Sequence, residues 1–236
     1  MAVPRVIFFD VGNTLLFPNR AQMLAPLAKN HHPTLEQWQA LERRTKSEFD
    51  RDMQAGRVDE GFWWRFHRHL LEQIDENADS SNGVLQELVR NTHDTANWDQ
   101  ILPGTREELD RIAAKCRIAV ISNADGKIDQ ALDRCGLADC FESITDSGIV
   151  GFAKPRPEIF EAALRVMNAR AAESLYVGDV YSVDYVGARN AGMQAVLFDV
   201  AGAYRARTEQ RVESMEQLES WLQGGNFAIC VRSPRR

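Results

Sequence analysis

Short apolar runs that stop on a polar, chemically capable residue constrain this chain more than any other feature. Arg5-Val-Ile-Phe-Phe-Asp10 is apolar until an acid closes it, and Gly12 follows. Its apolar stretch is continuous rather than alternating, so it reads as a strand buried on both faces. Arg117 to Ser122 and Ser174 to Val177 repeat the pattern, the second running into Gly178-Asp179. Ala195 to Phe198 is a further strand and Ser143 to Thr145 a brief one. Helices are predicted between them. One covers Thr105 to Lys115, with Thr105 as N-cap and Glu108 three residues on. Another covers Lys127 to Cys135 and stops at Gly136. Pro157 to Met167 has proline in its first turn. Val183 to Asn190 follows, and the capping box Ser214-Met-Glu-Gln217 opens a last helix through Leu222. This alternation predicts an α/β fold, a Rossmann-like doubly wound parallel sheet covered on both faces. Such sheets bind ligands outside the carboxyl ends of their strands, so the residues that close the runs are the ones to examine.

Residues 19–95 have a different character. Apolar residues fall at helical spacing: Leu35, Trp38, Leu41 and Phe49 in one helix, and Phe62, Trp63, Phe66, Leu70, Leu71 and Ile74 in another. Asp79-Ser-Ser-Asn-Gly83 is a turn signal, and a further helix covers Val84 to His93. The expected organisation is a core of residues 1–18 and 96–236, with a small all-helical cap domain over 19–95.

Composition excludes several classes. Lys and Arg number 28 against 34 Asp and Glu, a net charge of −6 in 236 residues. That balance argues against a nucleic-acid or membrane-surface partner, which needs a positive field. The basic end, Arg232 to Arg236, reads as a tail. Cys116, Cys135, Cys140 and Cys230 form no CxxC pair and are read as reduced. The apolar run at Val6 to Phe9 is too short for a signal peptide or a membrane span. The expected setting is the cytoplasm, as a monomer or homodimer acting on a small molecule.

Four strand ends carry chemistry: Asp10, Ser122-Asn123, the loop at Lys154-Pro155, and Gly178-Asp179 with Asp184. Taken singly, each fits an ordinary turn, cap or loop. Together they resemble the haloacid dehalogenase superfamily of hydrolases. The resemblance runs in order through Phe8-Phe-Asp-Val-Gly-Asn-Thr14, Val120-Ile-Ser-Asn123, Lys154-Pro155 and Val177-Gly-Asp-Val-Tyr-Ser-Val-Asp184. The helical insertion resembles the cap of the subgroup whose cap follows the first strand. The resemblance implies Asp10 as a nucleophile that forms an aspartyl-phosphate, with Lys154 and Ser122 assisting. It implies Mg²⁺ held by Asp10, Asp179, Asp184 and the backbone carbonyl of Gly12. Thr14, Ser122, Asn123 and Lys154 are the implied substrate-binding residues. The chemistry is coherent: a carboxylate nucleophile splits one displacement into two, and hard oxygen ligands suit Mg²⁺.

One departure stands out. Phosphatases of this superfamily usually carry a second Asp two residues after the nucleophile, which protonates the leaving group and then activates water. Here that position is Gly12, and the next, commonly Gly, is Asn13. Three readings follow. A Mg²⁺-dependent phosphohydrolase could dispense with the acid on a substrate with a good leaving group, such as an acyl or aryl phosphate. The site could instead cleave a phosphonate or carbon–halogen bond. The former needs a cap lysine, and Lys29 and Lys46 are the two available. The third reading is a weakly active or non-catalytic module that binds a phosphorylated ligand. The first is preferred because nucleophile, lysine and acids are all retained, and Gly12→Asp is expected to raise turnover on alkyl phosphates. Other residues have ordinary explanations: His31-His32 as a surface loop, His67 and His69 on different helix faces, Trp63 and Trp64 as cap packing, and Cys116 and Cys135 as core. The stretches Leu16 to Arg20 and Arg57 to Trp64 are candidates for the site entrance.

Overall fold

The computed structural model describes residues 4–57, 60–74 and 82–224. Cys230 and the basic end lie outside them. Of the turn predicted at 79–83, residues 79–81 also lie outside, and 82–83 already belong to a helix.

The first strand, β1 (Val6–Phe9), is buried along its whole length. A two-residue strand, β2 (Phe17–Pro18), leads into four helices: α1 (Arg20–Met23), α2 (Leu35–Gln54), α3 (Phe62–Ile74) and α4 (Asn82–His93). The chain returns through β3 (Trp98–Gln100), which pairs antiparallel with β2. The helical insertion therefore leaves and re-enters through one short two-stranded stem. Next come α5 (Thr105–Ala113), β4 (Arg117–Ser122), α6 (Ile128–Arg134), β5 (Ile144–Asp146), α7 (Ser147–Val150) and α8 (Pro157–Val166). The chain finishes with β6 (Ser174–Gly178), α9 (Val186–Asn190), β7 (Gln194–Phe198), β8 (Arg211–Val212) and α10 (Met215–Gln223).

Six strands form one parallel sheet in the order β5-β4-β1-β6-β7-β8. The order reverses around β1, which pairs with β4 on one side and β6 on the other, so the crevice opens where these three strands end. Side chains alternate between two cores, as the pleat dictates. Ile7, Phe9, Val120 and Val177 pack into one with α5, α6, α10 and the insertion. Val6, Phe8, Ile121 and Tyr176 pack into the other with α8 and α9. The doubly wound α/β architecture is as expected. Among the described residues, no helix is long and apolar enough to cross a membrane.

Local expectations needed correction. Thr105 is the first helical residue of α5, not its N-cap. The cap position is Gly104 at φ +84°, a left-handed turn that glycine enters without strain. Ser214 does cap α10, but the Gln217 side chain accepts from Glu213 N–H at 2.9 Å, one residue outside the capping box. Leu35 is exposed, so the buried stripe of α2 starts at Trp38. His67 and His69 are both buried, paired with Thr92 at 2.7 Å and Thr45 at 3.1 Å. Cys135 and Cys140 are free thiols, and the buried Cys116 thiol approaches the Pro4 carbonyl at 3.9 Å.

Candidate active site

Asp10 directly follows β1, and its N–H donates to the Val177 carbonyl at 2.8 Å, which ties it to β6. The chain then turns back tightly. The N–H groups of Thr14, Leu15 and Leu16 all reach the Val11 carbonyl, and Asn13 N–H donates to Leu16. Asn13 sits at φ +54°. Apart from glycine, asparagine is among the residues that adopt this left-handed conformation most readily, so Asn13 serves where glycine is common.

Gly12 is explained by its neighbour. A Cβ there would lie 3.3 and 3.4 Å from two atoms of the Trp98 ring. The indole is pinned by its own N–H, which donates to the Thr92 carbonyl at 2.8 Å. Trp98 therefore fills the space a side chain at position 12 would enter. Sequence reasoning misses it, because no local pattern marks it.

Lys154 is buried and spends all three ammonium protons: on Asp10 Oδ1 at 2.5 Å, Asp184 Oδ1 at 2.8 Å and the Tyr176 hydroxyl at 2.7 Å. Its loop is clamped by Asn123. That side chain donates to the Lys154 carbonyl at 3.0 Å and accepts from Lys154 N–H at 2.7 Å. Asn123 thus positions the lysine through its side chain, a role distinct from the substrate binding expected of it. Tyr176 is a further residue missed from sequence, where it looks like strand core. Burial and the surrounding carboxylates hold its phenol well above the usual range, so it stays a neutral partner.

Asp184 is delivered by a wide turn, Tyr181–Tyr185, in which the N–H groups of Asp184 and Tyr185 both reach the Val180 carbonyl. The helix predicted from Val183 therefore begins only at Val186. The Asp184 Oδ2 accepts from Val180 N–H at 2.9 Å. Gly178 makes room for this carboxylate: a Cβ there would lie 2.6 Å from Asp184 Cγ and 2.9 Å from the Tyr176 ring. Both neighbours are buried and hydrogen-bonded, so neither can retreat cheaply. We expect Gly178→Ala to destabilise the fold by about 1–3 kcal/mol and to displace Asp184. Thermal unfolding beside an activity assay checks this, and a wild-type melting curve would contradict it.

Lys46 is the largest surprise. It lies on α2, inside the helical insertion, yet it is buried and sits 2.6 Å from Glu42 and 2.9 Å from Asp179 Oδ2. From sequence, neither Lys29 nor Lys46 stands in a reactive context. The structure leaves Lys29 exposed but carries Lys46 to the carboxylate cluster. The same helix face docks twice more on the core. Arg43 donates to the Ala201 carbonyl at 2.9 Å, and Asp50 accepts from Ser182 N–H and the Tyr204 hydroxyl, each at 2.9 Å. Positions 43, 46 and 50 share one helical stripe.

One oxygen each from Asp10, Asp179 and Asp184 lies within 4.8 Å of the others, and all three residues are buried. Four carboxylates, those three and Glu42, share the ammonium groups of Lys154 and Lys46. Fully ionised, the cluster carries two excess negative charges, which one divalent cation would balance. Although Lys46 is near, Asp179 Oδ2 lacks an aligned hydrogen-bond donor among the described residues. Buried, oxygen-only and under-neutralised, these residues fit Mg²⁺.

The other predicted residues divide. Asp10, Gly12, Asn13, Ser122, Asn123, Lys154, Asp179 and Asp184 line one cavity of about 620 Å³. Thr14 is buried behind its wall, with a hydroxyl that has no hydrogen-bond partner among the described residues. Gly61, Phe62 and Trp63 line the cavity as the entrance reading expected, whereas nothing from Leu16 to Arg20 does. Trp63 both packs on its aromatic neighbours, as expected, and lines the cavity.

Known proteins carry the same elements. The profile of haloacid dehalogenase-like hydrolases matches residues 4–192. Haloacid dehalogenase-like hydrolase domain-containing protein 3 of Xenopus laevis is 33% identical over 154 residues, 63% of each chain. Glyceraldehyde 3-phosphate phosphatase of Methanothermobacter thermautotrophicus is 40% identical over 97 residues, 40% of this chain and 43% of its own. The chain thus spans less than two thirds of these curated relatives. Among solved structures, the HAD-hydrolase YfnB of Bacillus subtilis, bound to magnesium, superposes with a TM-score of 0.68 at 19% identity, covering 93% of this chain and 99% of its own. L-2-haloacid dehalogenase of Xanthobacter autotrophicus does so at 0.57 and 17%, covering 94% and 99%. At such identities the likeness is one of fold.

Proposed function

The chain belongs to the haloacid dehalogenase-like hydrolases, and from that premise we propose that it is a Mg²⁺-dependent phosphohydrolase that works without a general acid. The observation that carries this reading is the Trp98 ring packed against Gly12, where a Cβ would already meet it at 3.3 Å, beside an otherwise complete set of Asp10, Lys154, Asp179 and Asp184. Residues 19–95 act as a cap over the site. The substrate is a small phosphorylated molecule, in keeping with a relative named glyceraldehyde 3-phosphate phosphatase.

The residues divide the work as follows. Lys154 fixes Asp10 through Oδ1, leaving Oδ2 to attack phosphorus, and its charge offsets that of the incoming phosphoryl oxygens. Ser122 at the end of β4 contacts those oxygens. The ester oxygen departs with its electron pair, unprotonated by the enzyme. Water then attacks the phosphorus of the aspartyl-phosphate, freeing phosphate and restoring Asp10. When bound by Asp10, Asp179, Asp184 and the Gly12 carbonyl, Mg²⁺ supplies charge neutralisation for the phosphoryl group.

The other bond cleavages fit less well. An imine mechanism on phosphonates needs a cap lysine facing the substrate, and Lys46 is ion-paired twice and does not line the cavity. Carbon–halogen cleavage has no use for three clustered acids.

Hydrolysis of para-nitrophenyl phosphate with and without Mg²⁺ tests the reading. Tight phosphate binding without turnover across a substrate panel would convert the protein to a ligand-binding module. The metal carries its own pH signature. Burial lifts Asp10 to about 6 and Asp179 to about 7, against the pull of Lys154 and Lys46. Protons and cation compete for the same oxygens, so Mg²⁺ affinity measured by calorimetry should strengthen as pH rises from 5 to 8. An affinity flat across that range would contradict the ligand assignment.

A further inference from the structure

The cavity in front of Asp10 has a wall that phosphate chemistry does not require. Phe49 and Met53 of α2, Phe62 and Trp63 of α3, and Trp98 of β3 all line it. Their rings meet edge to face: Phe49 and Phe62 at 5.8 Å between centroids, Phe62 and Trp63 at 5.1 Å, Trp63 and Trp98 at 5.6 Å. Aromatic stripes on helices are usually core, and Trp38 and Phe66 are that: buried and absent from the cavity wall. Phe62, Trp63 and Met53 differ, since each is only half-buried and faces the cavity. At about 620 Å³ the cavity holds far more than a phosphoryl group.

We propose that this aromatic wall seats the leaving group, and that the substrate is a phosphate monoester of a flat aromatic alcohol. The inference rests on the acid-free phosphohydrolase reading and narrows it, because an acyl phosphate would satisfy the chemistry but not the wall. Two independent features converge. The wall offers ring faces and edges, already in the edge-to-face arrangement that aromatic groups prefer. The chemistry at its edge, where Trp98 packs on Gly12 and no acid stands at position 12, suits an alcohol that leaves as its anion. A phenol ionises near pH 10, whereas an alkyl alcohol resembles water in needing a proton. Asp10 Oδ2 bonds to phosphorus, the phosphorus–oxygen ester bond breaks, and both electrons depart on the aryloxide. Water later cleaves the aspartyl-phosphate to inorganic phosphate, so no further reactant is needed. Trp98 thus has two consequences: it excludes the proton donor and forms part of the ring's seat.

The test uses the full chain with Mg²⁺ and three substrates: phenyl phosphate, acetyl phosphate and glycerol 1-phosphate. In parallel, phenylphosphonate and methylphosphonate, neither of which is turned over, compete for binding. We expect phenyl phosphate to exceed acetyl phosphate in kcat/KM and phenylphosphonate to bind about tenfold more tightly than methylphosphonate. In Trp63→Leu the ratio of KM for phenyl phosphate to KM for acetyl phosphate should rise about tenfold. Acetyl phosphate turned over as well as phenyl phosphate, with the two phosphonates binding alike, overturns the proposal and leaves the phosphohydrolase reading standing. If no phosphate is turned over, that reading fails, and the phosphonate pair still decides whether the wall takes a ring. If Trp63→Leu does not fold, the same pair on the wild-type chain decides it.

Discussion

Asp10→Asn is expected to lose about 10⁴-fold or more in kcat, because the amide cannot form the covalent intermediate assigned to Asp10. The protein should remain folded. Burial, helped by the nearby Asp184, disfavours the Asp10 charge more than Lys154 favours it. A neutral amide of the same shape therefore costs little, and Lys154 keeps Asp184 and Tyr176. Melting temperature and Mg²⁺ binding beside steady-state kinetics separate the two effects. An Asp10→Asn variant that retains turnover would place the nucleophile elsewhere, whereas an unfolded one would show that the ion pair carries stability.

The second large effect concerns the missing acid. Sequence alone leads one to expect that Gly12→Asp raises turnover on alkyl phosphates. The structure places an obstacle to the single change: a Cβ at position 12 already meets Trp98 at 3.3 Å, so the indole has to give before an aspartate side chain fits. The gain is therefore expected from the pair Gly12→Asp with Trp98→Ala, at about 10²-fold on an alkyl phosphate, the ordinary contribution of a general acid. The single variants should show little or no gain, so the double-mutant cycle should be strongly non-additive. Equal rates for Gly12→Asp and the pair would show that Trp98 does not block the acid. No gain in a folded double variant would mean the site is not limited by protonation. Aryl phosphates should respond least, since their leaving group does not need the proton.

The parts of this site that can be read from sequence are those fixed by strand topology. Asp10, Ser122 and Asp179 end or directly follow β1, β4 and β6, and a parallel sheet brings such ends together whatever else the chain does. Asn13 is visible as a departure, and its left-handed backbone explains it. What escapes depends on contacts between distant segments. Trp98 belongs to a short strand with no strong periodicity, and its meaning lies in a ring placed over Gly12. Lys46 and Glu42 look like an ordinary i,i+4 surface pair. One signal is present: both fall on the stripe of Trp38, Leu41 and Phe49, so the inward face of α2 carries charge. A buried lysine needs a carboxylate partner, and the core supplies Asp179. The misplaced N-cap at Thr105 has a different origin, since the adjacent Gly104 can take a left-handed turn and move the helix start.

If Gly12 leaves the site without an acid, it also leaves it without the base that activates water in the second half of the reaction. Formation of the aspartyl-phosphate from an aryl phosphate should then be fast and its hydrolysis slow. The most direct measurement is rapid quench with Mg²⁺ and para-nitrophenyl phosphate, following released nitrophenolate and phosphorylated Asp10 together. A burst of nitrophenolate equal to the enzyme present, matched by phosphoryl on Asp10, should precede slow steady turnover. Linear release from the first turnover, with Asp10 unmodified throughout, would contradict an acid-free site that works through Asp10.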